Sequence, residues 1–300
     1  MDKIPSGSIV VAVDGSRDAD RAVHWAAEQA AVERRNLVVM AVATQAPALV
    51  AAGPGIGYVH QGHNLLANAK TLAQEAADLA ARHRPGVAVE TVADLGNPRP
   101  VLADTTMLAH LLVMGSRGRG PMSSKLLGSV SASVARSASC PVVICRPGTE
   151  LRVKKGVLVG ADGTAESLPV IDFAFRQASL RSQPLTVVHT VRDLSAIVGA
   201  SSSAPADDPR LVADRLLLAE SMAGFRERYP EVHASSQVLR GSADSALTAI
   251  ADRYDLVVIG RHPIDSVGRH LSGAIATAVL ERSHTHVAVV PEAVPAAGTH

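Results

Sequence analysis

The 300-residue chain carries 29 lysines and arginines against 28 aspartates and glutamates, so its formal net charge is +1. This balance lacks the basic excess typical of proteins that bind nucleic acid or anionic membrane surfaces. Aromatic residues make up 2% of the chain, which leaves few platforms on which unpaired bases could stack. No apolar run approaches the roughly 18 residues needed to span a bilayer, so we expect a cytoplasmic protein with no nucleic-acid or membrane partner.

The first half of the chain alternates apolar strands with helices. Residues 9–13 are continuously apolar, as in a strand buried on both faces, and Ser16 can cap the helix that follows. A second strand is predicted at 37–43, and the prolines and glycines of 45–64 then predict an irregular loop. The remaining predicted elements are a helix at 65–82, a strand at 87–92, a helix entered through Asn97 and Pro98, a strand at 111–114, a helix opened by Gly128 and Ser129, and a strand at 142–146.

The second half of the chain repeats the first. VVAVDGS at 10–16 has a counterpart in LVGADGT at 158–164, and LLVMGSRG at 111–118 has one in LVVIGRHP at 256–263. We therefore predict two domains, 1–147 and 156–294, separated by a short charged linker. Because strands and helices alternate, the predicted fold class is α/β, with two tandem doubly wound five-stranded parallel sheets of strand order 3-2-1-4-5.

The connection after the fourth strand has the residues of a phosphate-binding loop. In an open parallel sheet, ligands bind beyond the carboxyl ends of the strands where the winding reverses, here beside strands one and four. Gly115 would let the backbone approach a ligand closely, and Gly118 would permit a positive φ. Gly128 and Ser129 open a helix whose first N–H groups and dipole favour an anion, and Ser131 would add a hydroxyl donor.

Each of these residues also has an ordinary structural explanation. A single glycine commonly ends a strand or begins a helix, and Asp14, which follows the first strand, fits a simple turn residue. Arg117 and Lys125 could neutralise phosphate charge, although Lys125 fits a solvated surface charge equally well. The connection is not a P-loop, because G-x-x-x-x-G-K-[ST] is absent. The combination of glycines, helix start and strand-end acid nevertheless favours a nucleotide site.

The histidines and cysteines do not predict a metal site. Neither HQGH at 60–63 nor HTH at 284–286 has zinc-site spacing combined with Cys, Asp or Glu partners. Cys140 and Cys145 lack the Cys-x-x-Cys arrangement and are expected to be reduced, packed thiols.

Gly115, two residues, Gly118, nine residues, then Gly128 and Ser129 resembles the signature of the universal stress protein family, and VVAVDGS resembles that family's first strand and acid. The resemblance covers nearly the whole chain as two tandem domains of the adenine-nucleotide alpha hydrolase type. It implies that ATP lies across the ends of strands one and four, with the need for Mg²⁺ left open. The nucleoside contacts that carry over are Asp14 and Val42. The phosphate contacts that carry over are Gly115, Arg117, Gly118, Gly128, Ser129 and Val130.

The second half departs from this pattern. The weaker candidates that it retains are Asp162, Gly260, Arg261 and Gly273. Pro263 stands at the position of Gly118, where it lacks an N–H and fixes φ near −65°. Ala274 and Thr190 stand where a serine and a valine would be. We expect ATP in the first domain and weak or no binding in the second, unless the second loop holds phosphate by another path that uses Gly268.

The resemblance implies an ATP-binding stress sensor or regulator rather than an enzyme. It also implies that the fifth strands of the two halves pair and that chains form a homodimer, while the regulatory partner stays unidentified. A slow ATP hydrolase or nucleotidyl transferase is the first alternative, but residues 115–128 contain no Asp, Glu or His to activate a nucleophile. The second alternative is an interaction module that binds no nucleotide in either half.

Overall fold

The computed structural model describes residues 4–44, 56–118, 127–147, 155–191, 202–203, 208–261 and 269–293, with backbone alone at 56–61, 202–203, 210 and 269–274. Contacts divide the chain into two compact units, Met1–Arg146 and Pro147–His300.

The first unit contains a parallel sheet with helices between its strands. The strands are β1 (Ile9–Val13), β2 (Leu37–Ala43), β3 (Val89–Leu95), β4 (Leu111–Gly115) and β5 (Val142–Cys145). The described helices are α1 (Arg17–Glu33), α2 (Ile56–His83), α3 (Pro98–Thr105) and α4 (Ser129–Ser137). The strands pair in parallel in the order β3-β2-β1-β4-β5. The predicted doubly wound topology and its strand order are therefore confirmed.

The second unit repeats this arrangement and adds a short strand. Its strands are β6 (Val157–Gly160), β7 (Leu185–Val191), β8 (Ser202–Ser203), β9 (Ala234–Arg240), β10 (Leu256–Arg261) and β11 (His286–Pro291). Its described helices are α5 (Leu168–Leu180), α6 (Val212–Arg228), α7 (Ala243–Ala251) and α8 (Arg269–Arg282). The parallel strands run in the order β9-β7-β6-β10-β11. The unexpected β8 pairs with β9 in the antiparallel direction, so this sheet is not purely parallel.

Small side chains allow α1 to pack closely on the first sheet. Ile9 and Val10 of β1 and Leu112 of β4 have no exposed surface, as expected for strands covered by helices on both faces. The face of α1 that is buried is rich in alanine, at positions Ala19, Ala22, Ala26, Ala27 and Ala30. Short side chains bring the helix backbone near the strands, and this proximity shapes the site described below.

The second helix begins earlier than predicted. Residues 56–64 were expected to be irregular because of their glycines, yet they are the first turns of α2. A glycine costs a helix only about 1 kcal/mol relative to alanine, and packing of a helix against the rest of a domain commonly outweighs that cost. The α2 helix is 28 residues long and contacts β2, β3 and α1, so its packing compensates for Gly57 and Gly62. The rest of the expected loop, residues 45–55, lies outside the described residues.

The two cysteines are buried and form no disulfide, as predicted. Burial raises the pKa of the Cys140 thiol to about 12, so this thiol stays protonated at neutral pH. Within the described ranges, no group of three or more His, Cys, Asp and Glu side chains could hold a metal ion. The same part of the chain contains no helix long and apolar enough to cross a membrane.

Candidate functional site

The turn between β1 and α1 is built by Asp14, Gly15 and Ser16. Gly15 has a φ of 76°, in the left-handed region that favours glycine. One carboxylate oxygen of Asp14 accepts a hydrogen bond from the backbone N–H of Ser16 at 3.0 Å. The Ser16 hydroxyl accepts one from the N–H of Ala19 at 3.2 Å, which confirms the predicted cap. Asp14 is thus a turn residue as well as a candidate ligand contact.

The end of β4 is attached to the start of α1 by polar contacts. The hydroxyl of Ser116 donates to Asp18 Oδ2 at 2.7 Å, and Nε of Arg117 donates to the same oxygen at 3.2 Å. The Ser16 hydroxyl donates to the carbonyl oxygen of Arg117 at 3.2 Å. These contacts hold both the main chain and the side chain of Arg117 beside the first turn of α1.

The structure shows packing requirements at Gly115 and Gly118 that the sequence did not reveal. A Cβ at Gly115 would lie 2.7 Å from the carbonyl carbon and 2.9 Å from the carbonyl oxygen of Asp18, so the closeness of α1 is sufficient to require a glycine there. Gly118 is not among the residues with positive φ, which corrects the prediction of a left-handed turn there. A Cβ at Gly118 would instead lie 2.4 Å from Asp14 Oδ2. The glycine therefore leaves room for the second oxygen of that carboxylate.

The start of α4 presents three consecutive backbone amides. Gly128 precedes the helix in an extended conformation and has no side chain with which to cap it. Its own N–H donates to the carbonyl oxygen of Ser116 at 2.8 Å, so this amide is occupied by the protein. Among the residues that the structure describes, no acceptor pairs with the N–H groups of Ser129, Val130 or Ser131. Such amides, together with the helix dipole, favour an anion at this position.

Ser131 plays a different part from the one predicted. Its side chain is buried, and its hydroxyl donates to the carbonyl oxygen of Gly115 at 2.8 Å. The hydroxyl proton is therefore committed to joining α4 to the end of β4 and is not directed to a ligand. The backbone amide of Ser131 is what this residue offers to the site.

A cavity of about 540 Å³ lies at the carboxyl ends of β1, β2 and β4. This volume is within the range of small-molecule binding sites, about 300–1,000 Å³. All nine first-domain candidates from the sequence line it. They are Asp14, Val42, Gly115, Arg117, Gly118, Gly128, Ser129, Val130 and Ser131. Residues that are separated by up to 117 positions in the chain (14 to 131) thus meet at one site. Lys125 lies outside the described residues.

The apolar half of the cavity contains residues that the sequence reasoning missed. Met40, Thr44, Pro98 and Leu102 line it together with Val42. Met40 and Thr44 lie two residues on either side of Val42, and residues two apart in a strand share a face. The two-residue spacing from Val42 could therefore have identified Met40 and Thr44 from the sequence. Pro98 and Leu102 come from α3, and nothing local in the sequence indicates which residues of this helix reach the site.

The corresponding turn in the second unit has the same backbone design. Gly163 has a φ of 81°, and Asp162 accepts hydrogen bonds from the backbone N–H and the hydroxyl of Thr164 at 3.0 and 2.7 Å. A Cβ at Gly163 would lie 2.9 Å from Leu217 Cγ, because α6 covers this turn. The turn is therefore preserved, but its surroundings differ from those of the first unit.

The end of β10 is occupied by an acid. A Cβ at Gly260 would lie 2.0 Å from Glu292 Oε1. The pKa of Glu292 is raised to about 7, chiefly by burial and also by the charges of Asp162 and Glu166, while Arg261 opposes the increase. Burial also lowers the pKa of Arg261, which the Glu292 carboxylate counteracts. Among the described residues, Asp162, Glu166 and Arg261 interact with Glu292, and this excess of acids makes this edge of the sheet unfavourable for a phosphate.

The other second-half candidates are less fully described. Gly273 lies within α8, in the part for which only the backbone is described. Pro263 and Gly268 lie outside the described residues, so the expectation of an alternative phosphate path stays a prediction.

The chain resembles known proteins along nearly its full length. The model of the universal stress protein family matches residues 6–146 and again residues 155–291. A universal stress protein of Mycobacterium tuberculosis is 33% identical over 291 residues, which cover 94% of this chain and 96% of the relative. A universal stress protein of Mycolicibacterium smegmatis is 32% identical over 289 residues, with the same coverage of both chains.

Solved structures agree with the fold. The crystal structure of a universal stress protein from Archaeoglobus fulgidus matches with a TM-score of 0.70 and covers 96% of this chain and 97% of its own. The two sequences are 17% identical, so this likeness concerns the fold alone. The family model, the full-length relatives and the repeated parallel sheet lead to one conclusion: the chain belongs to the universal stress protein family and contains two of its domains in tandem.

Proposed function

We propose that the first domain binds ATP in the cavity at the ends of β1, β2 and β4, and that occupancy of this cavity makes the protein a nucleotide-dependent stress sensor. One observation carries the proposal. The eight residues that the family resemblance selects, together with Ser131, line one cavity, and three consecutive helix amides lie at one end of it.

The two ends of the cavity differ in the way that a nucleotide requires. The apolar end, with Met40, Val42 and Leu102, suits a purine base, which gains from removal of its faces from water. The polar end contains the start of α4 and the guanidinium of Arg117. A helix N-terminus contributes about 0.3–1 kcal/mol to binding an anion when exposed, and a charge-assisted hydrogen bond contributes about 1.5–3 kcal/mol.

The second domain is proposed to bind ATP weakly or not at all. Its Arg261 is engaged with Glu292 beside Gly260, and Asp162 and Glu166 add negative charge nearby. A triphosphate that approached this edge would be repelled by these acids. Pro263, which has no backbone N–H to donate, weakens phosphate binding further.

Calorimetry with matched substitutions in the two domains tests the proposal. We expect one ATP per chain, with Asp14→Asn lowering ATP affinity about tenfold, since a charged acceptor is exchanged for a neutral one while the turn is kept. Asp162→Asn, the same substitution at the equivalent turn, is expected to leave affinity unchanged. Two ATP per chain, or equal affinity for Asp14→Asn and the parent, would contradict the proposal. Titrations with and without Mg²⁺ establish whether the ion takes part.

The alternatives give different results in the same samples. Phosphate release at ordinary enzymatic rates that is lost in Asp14→Asn would replace the sensor with a hydrolase. Failure of the parent to bind any adenine nucleotide would favour an interaction module. The homodimer, the pairing of the fifth strands and a cytoplasmic location stay predictions from the family resemblance, and light scattering of the purified chain tests the first.

A further inference from the structure

Asp18 is a buried acid beside the cavity that the family signature does not include. It lies in the first turn of α1, its side chain is 8% exposed, and its backbone is the closest neighbour of Gly115. It is not among the residues that line the cavity. Apart from the long-range effect of its charge, Asp18 can influence a ligand through a residue that touches both.

Arg117 is that residue. It lines the cavity, and its Nε donates to Asp18 Oδ2. The same oxygen accepts the hydroxyl of Ser116, and the other oxygen pairs with Arg21. Nε is one of five N–H donors on a planar guanidinium, so this ion pair orients the whole group. The hydrogen bond from Ser16 to the Arg117 carbonyl oxygen fixes the main chain at the same place.

We infer that Asp18 is a positioning residue that holds the Arg117 guanidinium at the phosphate end of the cavity, so that the first domain favours a nucleotide with phosphates over the nucleoside. The inference rests on the proposed function. Through its charge alone, Asp18 would weaken ATP binding, because a negative charge near the site repels phosphates. Replacement of Asp18 by asparagine would tighten ATP binding if the charge alone mattered, and it would weaken ATP binding if the orientation of Arg117 mattered. The sign of the change in affinity therefore distinguishes a charge effect from a positioning effect.

The second domain lacks this arrangement. Glu166 occupies the sequence position equivalent to Asp18, but the acid beside the terminal glycine of the fourth strand is Glu292, from the end of β11. Arg261, the arginine at the end of β10, directly follows Gly260 and so corresponds to Ser116 rather than to Arg117. The pair in the first domain is therefore a property of that domain, and Glu166 offers a matched control.

The experiment measures the affinity of the full chain for ATP and for adenosine by calorimetry. Asp18→Asn is expected to lower ATP affinity about tenfold, equivalent to about 1.4 kcal/mol, because the charged partner that orients Arg117 is lost. Adenosine affinity is expected to stay within about twofold, because adenosine has no phosphate for Arg117 to contact. Glu166→Gln is expected to change neither affinity. Ser116→Ala removes one hydrogen bond to Asp18 and is expected to weaken ATP binding about threefold, which provides a second variant if Asp18→Asn fails to fold.

Three results would overturn the inference. Unchanged or tighter ATP binding by Asp18→Asn and Ser116→Ala would show that Arg117 needs no orientation. Equal losses for ATP and adenosine would show a structural role only. An Asp18→Asn effect that persists undiminished in an Arg117→Ala background would show that the two residues act independently. Absence of nucleotide binding by the parent would refute the proposed function itself and is recognisable before any variant is made.

Discussion

Replacement of Gly115 by alanine tests how closely α1 packs on the sheet. The new Cβ would lie 2.7 Å from the carbonyl carbon, 2.9 Å from Cβ and 2.9 Å from the carbonyl oxygen of Asp18, whereas ordinary contacts of this kind lie at 3.4–4 Å. Two of these atoms belong to the helix backbone and cannot rotate away. The helix must therefore move by about 0.7 Å, the difference between 3.4 and 2.7 Å.

The loss of folding free energy in Gly115→Ala can be bounded from known effects of overpacking. Added carbon atoms in a well-packed interior cost about 1–3 kcal/mol, and a contact with rigid backbone belongs in the upper part of that range. For a domain of this size, each kcal/mol lowers the melting temperature by about 2–4 °C. We therefore expect Gly115→Ala to lower the free energy of unfolding by about 2–3 kcal/mol and the melting temperature by about 5–10 °C.

Trp25 allows this effect to be assigned to the first unit. It is the single tryptophan of the chain and is buried on α1, so its fluorescence in urea reports unfolding of the helix that the substitution displaces. Gly224→Ala is the control, because no atom lies within 4 Å of a Cβ at that position of α6. There, alanine is expected to stabilise the protein by about 0.5–1 kcal/mol. An unchanged midpoint of the Trp25 transition in Gly115→Ala would refute the packing argument.

Two further predictions concern single contacts. Because the folded state raises the pKa of Glu292 to about 7, it holds that proton more tightly than the unfolded chain, and the contribution of Glu292 to stability falls as pH rises from about 4.5 to 7. Across this pH range, the free energy of unfolding is expected to fall by about 1–2 kcal/mol more in the parent than in Glu292→Gln, with allowance for solvent screening. Parallel plots of unfolding free energy against pH for the two proteins would contradict this. Ser16→Ala removes the cap of α1 and the hydrogen bond to Arg117, so urea titration is expected to show that the free energy of unfolding falls by about 1–2 kcal/mol. Thr164→Ala, at a position without a side-chain cap, is expected to lower it by less. Equal decreases in the two variants would argue against the cap.

Local patterns in the sequence were sufficient to predict the sheet and the position of the site. Apolar runs of strand length, separated by helical segments, determine a parallel sheet because each strand must be buried on both faces. The turn at Asp14 and the start of α4 were predictable for a similar reason, since caps and turns depend on residues close together in sequence. The start of α2 was predicted wrongly because the local cost of two glycines was given more weight than packing.

The chemistry around the glycines was decided by the tertiary structure. Whether Gly115 makes room for a ligand or for α1 depends on the distance between a helix and a strand that are separated by nearly 80 residues (33 to 111). The pairing of Asp18 with Arg117, the commitment of Ser131 to a carbonyl and the approach of Glu292 to Gly260 likewise join distant segments. Sequence determines which residues end each strand, because that is a local property. Which partner each of them meets follows from how the helices pack on the sheet, and no local pattern contains that information.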